Sequence, residues 1–233
     1  MKKIILSVLL ISSLNLHSQI SVEGGIKGSY NSTWLFNKNI SDQGTEQDYA
    51  AGWGSNYGLG ASVYYGSIGL GVDFLMGSHK GGYTGEYPLV GMYQSDVKLN
   101  ITQIPILLKL KSKVTGPYVE LGAQLNTISK ASYNRTYDNT SLLNVSEGDV
   151  MDEYSKTFTS AVLGFGINMR WSESLPLNLH AGIRLNYGFS DAKGVDAQGV
   201  SLSEKTVYPT YEKTNALAGG IMVGLNYTFE AKK

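Results

Sequence analysis

The side chains with chemical potential in this sequence are charged residues and a few histidines, because the chain contains no cysteine. That absence excludes disulfides, thiolate metal sites and a cysteine nucleophile. A serine hydrolase requires a histidine beside a serine and an acid. His79 follows Ser78, but sequential neighbours on a strand point to opposite faces, so this pair does not predict a catalytic site. We expect no catalytic, cofactor-binding or metal-binding residues.

Nineteen basic residues balance nineteen acidic ones, which excludes a nucleic-acid partner recognised by bulk charge. Eight charged residues occupy the polar positions of segments in which apolar and polar residues alternate. An ionised group in a narrow interior must pair or meet water, because an unpaired buried charge is costly. We therefore expect an interior charge network of Glu23, Lys27, Asp73, Lys98, Lys109, Glu120, Arg170 and Arg184. Within it, Asp73 is the partner expected for Arg184. A gated proton or ion path is the alternative interpretation.

These charged residues are expected to lie on β-strands, because apolar and polar residues alternate with a period of two in eight segments. The segments run over 20–36, 53–65, 68–76, 97–110, 119–125, 161–171, 177–189 and 216–229. In the fourth segment the apolar residues move from odd-numbered to even-numbered positions between Ile101 and Ile104. A one-residue slip exchanges the two faces of a strand, so we expect a β-bulge near Thr102 and Gln103, beside Pro105.

The connections between the segments alternate in length. Short turns fall at 66–67, 111–116 and 172–176, and long loops at 37–52, 79–94, 129–154 and 190–214. Short periplasmic turns and long extracellular loops are typical of outer-membrane barrels. The sequence therefore predicts an all-β fold, an eight-stranded antiparallel up-and-down transmembrane β-barrel with four long extracellular loops.

The first 18 residues are predicted to be a cleaved signal peptide, and residues 19–233 the barrel domain. Lys2 and Lys3 precede an apolar stretch from Ile4 to Leu16, which is too short for a membrane-spanning helix. A signal peptide delivers the mature chain out of the cytoplasm, so we expect the outer membrane as its location.

Aromatic residues on the apolar parity cluster at the segment ends, where barrels carry their girdles at the two membrane interfaces. The expected girdle residues are Tyr30, Trp34, Trp53, Tyr57, Tyr65, Trp171, Tyr187, Phe189, Tyr227 and Phe229.

The long loops are acidic and rich in tyrosine, a composition used for recognition surfaces and equally for loop packing. The acidic segment 147–153 lacks the spacing of an EF-hand, so a solvated loop is favoured over a Ca²⁺ site.

The segments Gln103–Leu110 and Gly116–Leu125 resemble the signature region of the PorT-like outer-membrane β-barrel family of Bacteroidetes. The stretches Gly25–Asn31 and Gly224–Phe229 fit the same pattern. The resemblance implies a small barrel in a Gram-negative outer membrane and little about activity. The namesake serves a protein-secretion system linked to gliding. Phe229 resembles the insertion signal that the outer-membrane assembly machinery reads, although four residues follow it.

Together these features predict a small outer-membrane barrel with a plugged polar interior and no catalysis. Its expected role is structural or adhesive, or that of an accessory subunit of an envelope complex. The alternatives are an accessory barrel of the secretion and gliding apparatus, a membrane-embedded lipid hydrolase and a small gated channel. The expected partners are outer-membrane lipid and lipopolysaccharide, the assembly machinery during insertion and another envelope protein. No nucleic acid and no cofactor are expected.

Overall fold

The alternating segments form long antiparallel strands in the computed structural model, which describes residues 20–41, 47–87, 91–112, 115–172, 175–194 and 211–230. The predicted signal peptide and much of the last long loop lie outside these residues. The strands are β1 (Ile20–Phe36), β2 (Asp48–Ala50), β3 (Gly52–Tyr65), β4 (Ile68–Tyr87), β5 (Gly91–Lys111), β6 (Gly116–Tyr137), β7 (Val145–Asp149), β8 (Thr157–Arg170), β9 (Leu177–Gly188) and β10 (Asn215–Glu230). A short helix, α1 (Lys38–Ser41), and a 3-10 turn at Met151–Glu153 complete the described elements.

Eight of these strands close into a barrel in the order β4-β3-β1-β10-β9-β8-β6-β5, and β5 pairs with β4 to complete the circle. The short strands β2 and β7 pair with β4 and β6 outside this circuit. Closure gives each of the eight strands of the circuit a neighbour on both sides. The described part of the chain contains no helix long and apolar enough to cross a membrane.

The strand register sets the width of the barrel. Following paired residues from Ser21 once around the circle leads back to β1 at Asn31, a displacement of ten residues. A closed sheet of eight strands has an interior that side chains just fill. The inward side chains of opposite strands therefore come within reach of one another.

The expected bulge near Thr102 and Gln103 is wrong. The pairing of β4 with β5 keeps one register from Met76–Thr102 to Val72–Ile106, so β5 contains no extra residue there. The odd-numbered residues of β5 are buried from Tyr93 to Lys111. The bulge lies in β6 instead, where pairing with β5 skips Ser129.

The apolar parity of β5 changes because its surroundings change. Toward the short turns, its outward residues Ile104, Ile106 and Leu108 belong to an apolar outer surface, and Ile106 is 59% exposed. Toward the long loops, the inward residues Val97, Leu99 and Ile101 are fully buried instead. The strand therefore leaves an apolar environment for water part-way along its length, while its two faces keep their orientation.

The inward apolar residues at the long-loop end form a cluster that we call the apolar plug. Its residues are Leu35, Ile40, Tyr83, Val97, Leu99, Ile101, Ile128, Ala131, Tyr133, Tyr154, Phe158, Ala192 and Ala216. The strands β4, β5 and β6 continue past the barrel wall, so most of the loop predicted at 79–94 is strand. Further side chains from β2 and β7, including Tyr49 and Val145, pack against the plug.

Candidate functional site

Below the apolar plug, five charged side chains from five strands meet inside the barrel, and we call them the ion network. Lys27 Nζ lies 2.5 Å from Asp73 Oδ1. Arg184 Nη2 lies 3.0 Å from Asp73 Oδ2 and 2.5 Å from Glu120 Oε1. Lys109 Nζ lies 3.9 Å from Glu120 Oε2. Asp73 therefore faces Lys27 and Arg184 together, and Arg184 joins the two carboxylates.

Burial makes these ion pairs interdependent. Asp73 is fully buried, and Glu120 and Arg184 are 1% and 2% exposed. Breaking a buried pair by removing one partner typically costs about 3–5 kcal/mol, because the remaining charge is uncompensated. Arg184 contributes its Nε–H as well, which donates to Glu120 Oε1 at 2.6 Å. This planar set of donors is why arginine suits the centre of such a network.

A second pair lies nearer the short-turn end. Lys111 Nζ is 2.5 Å from Glu23 Oε1 and 3.7 Å from the centre of the Tyr64 ring. Thr228 Oγ1 donates to the same carboxylate oxygen at 3.3 Å, and Asn178 Nδ2 donates to Thr228 at 2.7 Å. Sequence reasoning missed Lys111 by assigning it to a turn. Lys111 is odd-numbered like Lys109, whose side chain faces the interior. This shared parity is the sequence signal that identifies Lys111 as an inward residue.

Two predicted members of the network do not join it. Lys98 is exposed on the outer face of β5, because that strand keeps its register where a bulge was expected. Arg170 is exposed at the last position of β8, where the strand reaches water at the short-turn end. The structure places Glu23, Lys27, Asp73, Lys109, Glu120 and Arg184 inside.

Glycines opposite the charged residues provide the space that the network occupies. Gly164 pairs with Glu120 on one side and Arg184 on the other. A Cβ at Gly164 would lie 2.6 Å from Glu120 Cγ and 2.9 Å from its Cδ. A Cβ at Gly60 would lie 2.7 Å from Lys27 Cε, and one at Gly71 the same distance from Lys109 Cε. The glycine-rich polar parity is therefore a packing requirement of the long charged side chains.

Both histidines in the described residues hold structural positions. His79 is buried, and its Nε2 lies 2.9 Å from the Trp34 carbonyl oxygen. His180 Nδ1 lies 3.1 Å from Asn168 Oδ1, and its ring stacks on Tyr118 with centroids 4.0 Å apart. Neither faces a serine and an acid in the arrangement that acyl hydrolysis requires.

The described loops contain no group of three or more His, Asp or Glu side chains placed to hold a metal ion. In the acidic segment, Asp149 Oδ1 accepts the backbone N–H of Met151 at 3.0 Å. In the last loop, Asp191 accepts the backbone N–H groups of Lys193 and Thr214 and the hydroxyl of Tyr211. Partial burial and this hydrogen bond raise the pKa of Tyr211 to about 12. Asp191 therefore organises the described part of that loop.

The predicted aromatic residues occupy the outer surface in two groups. Toward the long loops lie Tyr30, Trp53, Tyr57, Tyr187 and Phe189, all exposed, with Trp34 half-buried. Toward the short turns lie Tyr65, Trp171, Tyr227 and Phe229, also exposed. The Tyr30 and Trp53 rings stack with centroids 5.5 Å apart. Between the groups the surface is apolar, which is the arrangement of a membrane-spanning barrel.

An apolar belt between aromatic groups, around eight closed antiparallel strands, defines a transmembrane β-barrel. The family model described as "Outer membrane protein beta-barrel domain" matches residues 4–229. The chain therefore belongs to this family and is an outer-membrane protein. In such barrels the short turns are periplasmic and the long loops extracellular. No curated protein sequence matches the chain.

Solved outer-membrane proteins are similar to this chain at low sequence identity. OprG from Pseudomonas aeruginosa is 15% identical with a TM-score of 0.40, and the alignment covers 92% of this chain and 97% of that one. Neisserial surface protein A is 14% identical with a TM-score of 0.41, covering 90% and 97%. The outer membrane protease OmpT from Escherichia coli is 8% identical with a TM-score of 0.40, covering 91% and 97%.

The role of the glycines can be tested with one methyl group. Gly164→Ala places a Cβ against Glu120, and overpacking of this kind typically costs about 1–3 kcal/mol. Gly28→Ala is the matched control, because its Cβ meets its nearest atom, the Asn56 carbonyl oxygen, at 3.7 Å. The free energy of unfolding, measured in urea with phospholipid vesicles, should fall for Gly164→Ala and stay within about 0.5 kcal/mol for Gly28→Ala. Equal effects of the two substitutions would contradict the packing role.

Proposed function

We propose that this protein is a sealed, non-catalytic outer-membrane barrel that acts through its extracellular rim, as a structural or adhesive protein or an accessory subunit of an envelope complex. The observation that carries the proposal is the two-layer filling of the interior. The ion network fills the middle of the barrel, and the apolar plug fills its extracellular end. Ions crossing the barrel would have to separate the ion pairs of the network and lose their hydration shells against the apolar plug.

The extracellular rim offers the surface on which such a role depends. The connection between β6 and β7 carries Leu142 and Leu143. Their side chains are 93% and 48% exposed. Exposed apolar residues at a loop tip are suited to contact with another protein. The loop tyrosines Tyr83, Tyr93 and Tyr133, in contrast, are at most 3% exposed, which favours packing as their role.

The positions of the histidines support a non-catalytic role over the alternative of a lipid hydrolase. His79 is buried in the barrel wall against a backbone carbonyl, and Ser78 lies on the opposite parity of β4. His180 is engaged by Asn168 and Tyr118. A hydrolytic site would need an exposed base at one rim of the barrel, where substrate can reach it.

The PorT-like resemblance guides the choice of envelope complex. The segments that carry it, Gln103–Leu110 and Gly116–Leu125, are paired neighbours in the barrel wall formed by β5 and β6. We therefore propose the PorT-like subgroup as the chain's place within its family. A protein-secretion and gliding apparatus is the first complex in which to seek a partner.

The sealed interior predicts that the protein does not conduct. Purified wild-type protein inserted into a planar bilayer should give no steady current under applied voltage. Heat-modifiable gel mobility of the same preparation establishes that the barrel is folded, and a porin added afterwards establishes that the membrane reports open channels. Reproducible unitary currents from the wild-type protein would overturn the sealed reading and favour the gated channel.

The exposed loop tip predicts a contact with a protein partner. A photoreactive residue in place of Leu142 should cross-link to one envelope protein in intact cells. The same residue in place of Glu147, an exposed position on β7, serves as the control. Adding Leu143→Ser to the Leu142 probe should remove the product by removing half of the apolar contact. No product at position 142, or the same products at both positions, would contradict a role for this tip.

A further inference from the structure

The extracellular girdle of the barrel is chemically uneven. The arc β9-β10-β1-β3 carries the aromatic residues Tyr30, Trp34, Trp53, Tyr57 and Tyr187 at that level. The remaining arc β4-β5-β6-β8 carries no outward aromatic residue there among the described residues. Its outward positions above the apolar belt are mainly polar and hold serine, threonine, asparagine and lysine, together with the acidic residue Asp96. This half of the barrel therefore meets the headgroup region through a different set of contacts.

Strand register brings three lysines together on this arc, and we call Lys80, Lys98 and Lys130 the basic arc. Lys80 pairs directly with Lys98 across β4 and β5. Lys130 pairs with Asn100 across β5 and β6, one step diagonal from Lys98. Directly paired side chains have Cβ atoms about 4.5–5.5 Å apart, and like charges at that separation destabilise a sheet. A bound anion would relieve this repulsion.

The residues of the chain offset only part of the positive charge. Lys80 Nζ lies 3.2 Å from Asp96 Oδ1, in a pair that is partly exposed and therefore weak. Lys98 and Lys130 are exposed, and neither forms an ion pair with another described residue. Asp149 on β7 stands opposite Ser132, where its carboxylate accepts the Met151 N–H. The basic arc thus retains a positive excess.

The lysines stand just above the hydrocarbon boundary. The last outward apolar residues beneath them are Met76, Ile104 and Leu125, four to six positions away along the strands. At about 3.3 Å per residue along a tilted strand, this distance corresponds to a rise of roughly 10–15 Å. Lysine stems lie along apolar surfaces while their ammonium groups reach polar surroundings. The ammonium groups therefore reach the level of the outer-leaflet headgroups.

We infer that the basic arc binds the phosphate groups of a phosphorylated glycolipid of the outer leaflet. The site is an outer wall with an apolar surface lower on the same strands, which fits a lipid whose acyl chains lie along Met76, Ile104 and Leu125. A soluble phosphate ion has no apolar group that could make that contact. This inference depends on the outer-membrane location of the barrel and goes beyond the proposed role of its rim.

Native mass spectrometry of the detergent-solubilised full-length barrel, titrated with bisphosphorylated lipid A, tests the inference. The test variant is Lys80→Gln/Lys98→Gln/Lys130→Gln. The charge-matched control is Lys38→Gln/Lys193→Gln/Lys213→Gln, which removes three exposed lysines of the loops. A basic residue near an anionic lipid surface contributes about fivefold in affinity. The test variant should therefore bind lipid A at least tenfold more weakly than the wild type, and the control should bind as the wild type does.

Two further arms identify the ligand chemistry. Wild-type protein should bind dephosphorylated lipid A as weakly as the test variant does, and millimolar inorganic phosphate should not displace lipid A. Equal losses in both triple variants would overturn the site, as would equal binding of lipid A with and without its phosphates. Displacement by inorganic phosphate would overturn the choice of a lipid. If the triple variant fails the heat-modifiability test for folding, Lys98→Gln and Lys98→Arg replace it, and only Lys98→Arg should retain binding.

Discussion

The narrow bore of the barrel requires each buried charge to lie against its counter-charge, and the arrangement of the interior depends on this constraint. Eight strands leave room for side chains alone, so long charged residues reach across to one another. Arg184 joins Asp73 and Glu120, while Lys27 and Lys109 flank them. Glycines such as Gly164 and Gly60 supply the space. The three cations face two carboxylates, and Lys109, with the longest separation, is the least tightly held.

The barrel reverses its chemistry along its axis. Within the bilayer its outer surface is apolar and its interior polar, whereas beyond the bilayer Val97, Leu99 and Ile101 turn the interior apolar. There, outward residues such as Lys98 and Asn100 are exposed above the hydrocarbon layer, at the level of the headgroups. Strand β5 thus passes from lipid into water while its two faces keep their orientation. The ion network lies between the periplasmic turns and the apolar plug, which shields it from the extracellular side.

The sequence predicted the closed eight-stranded fold, because period-two alternation and alternating connection lengths are local signals that a narrow barrel must obey. Lys98 shows where this reasoning stops. The prediction assumed that the whole strand lies in lipid, so a bulge was needed to explain why its apolar residues move from even-numbered to odd-numbered positions. The surroundings of the strand change instead. Arg170 and Lys111 lie at strand ends, where the alternation of apolar and polar residues does not show how far the strand extends. The sequence therefore predicted Arg170 inside the barrel and Lys111 in a turn. The true bulge at Ser129 depends on long-range pairing with β5, which no local pattern records.

Asp73 and Arg184 form one ionic unit inside the barrel. A double-mutant cycle with Asp73→Asn and Arg184→Gln, measured by reversible urea unfolding in phospholipid vesicles, tests it most directly. We expect a coupling energy between about 0.5 and 3 kcal/mol, the range found for residues in one ionic network. A parallel cycle of Arg184→Gln with Lys98→Gln, which lies on the outer face, should be additive. Additivity within about 0.5 kcal/mol for Asp73 and Arg184 themselves would contradict the account.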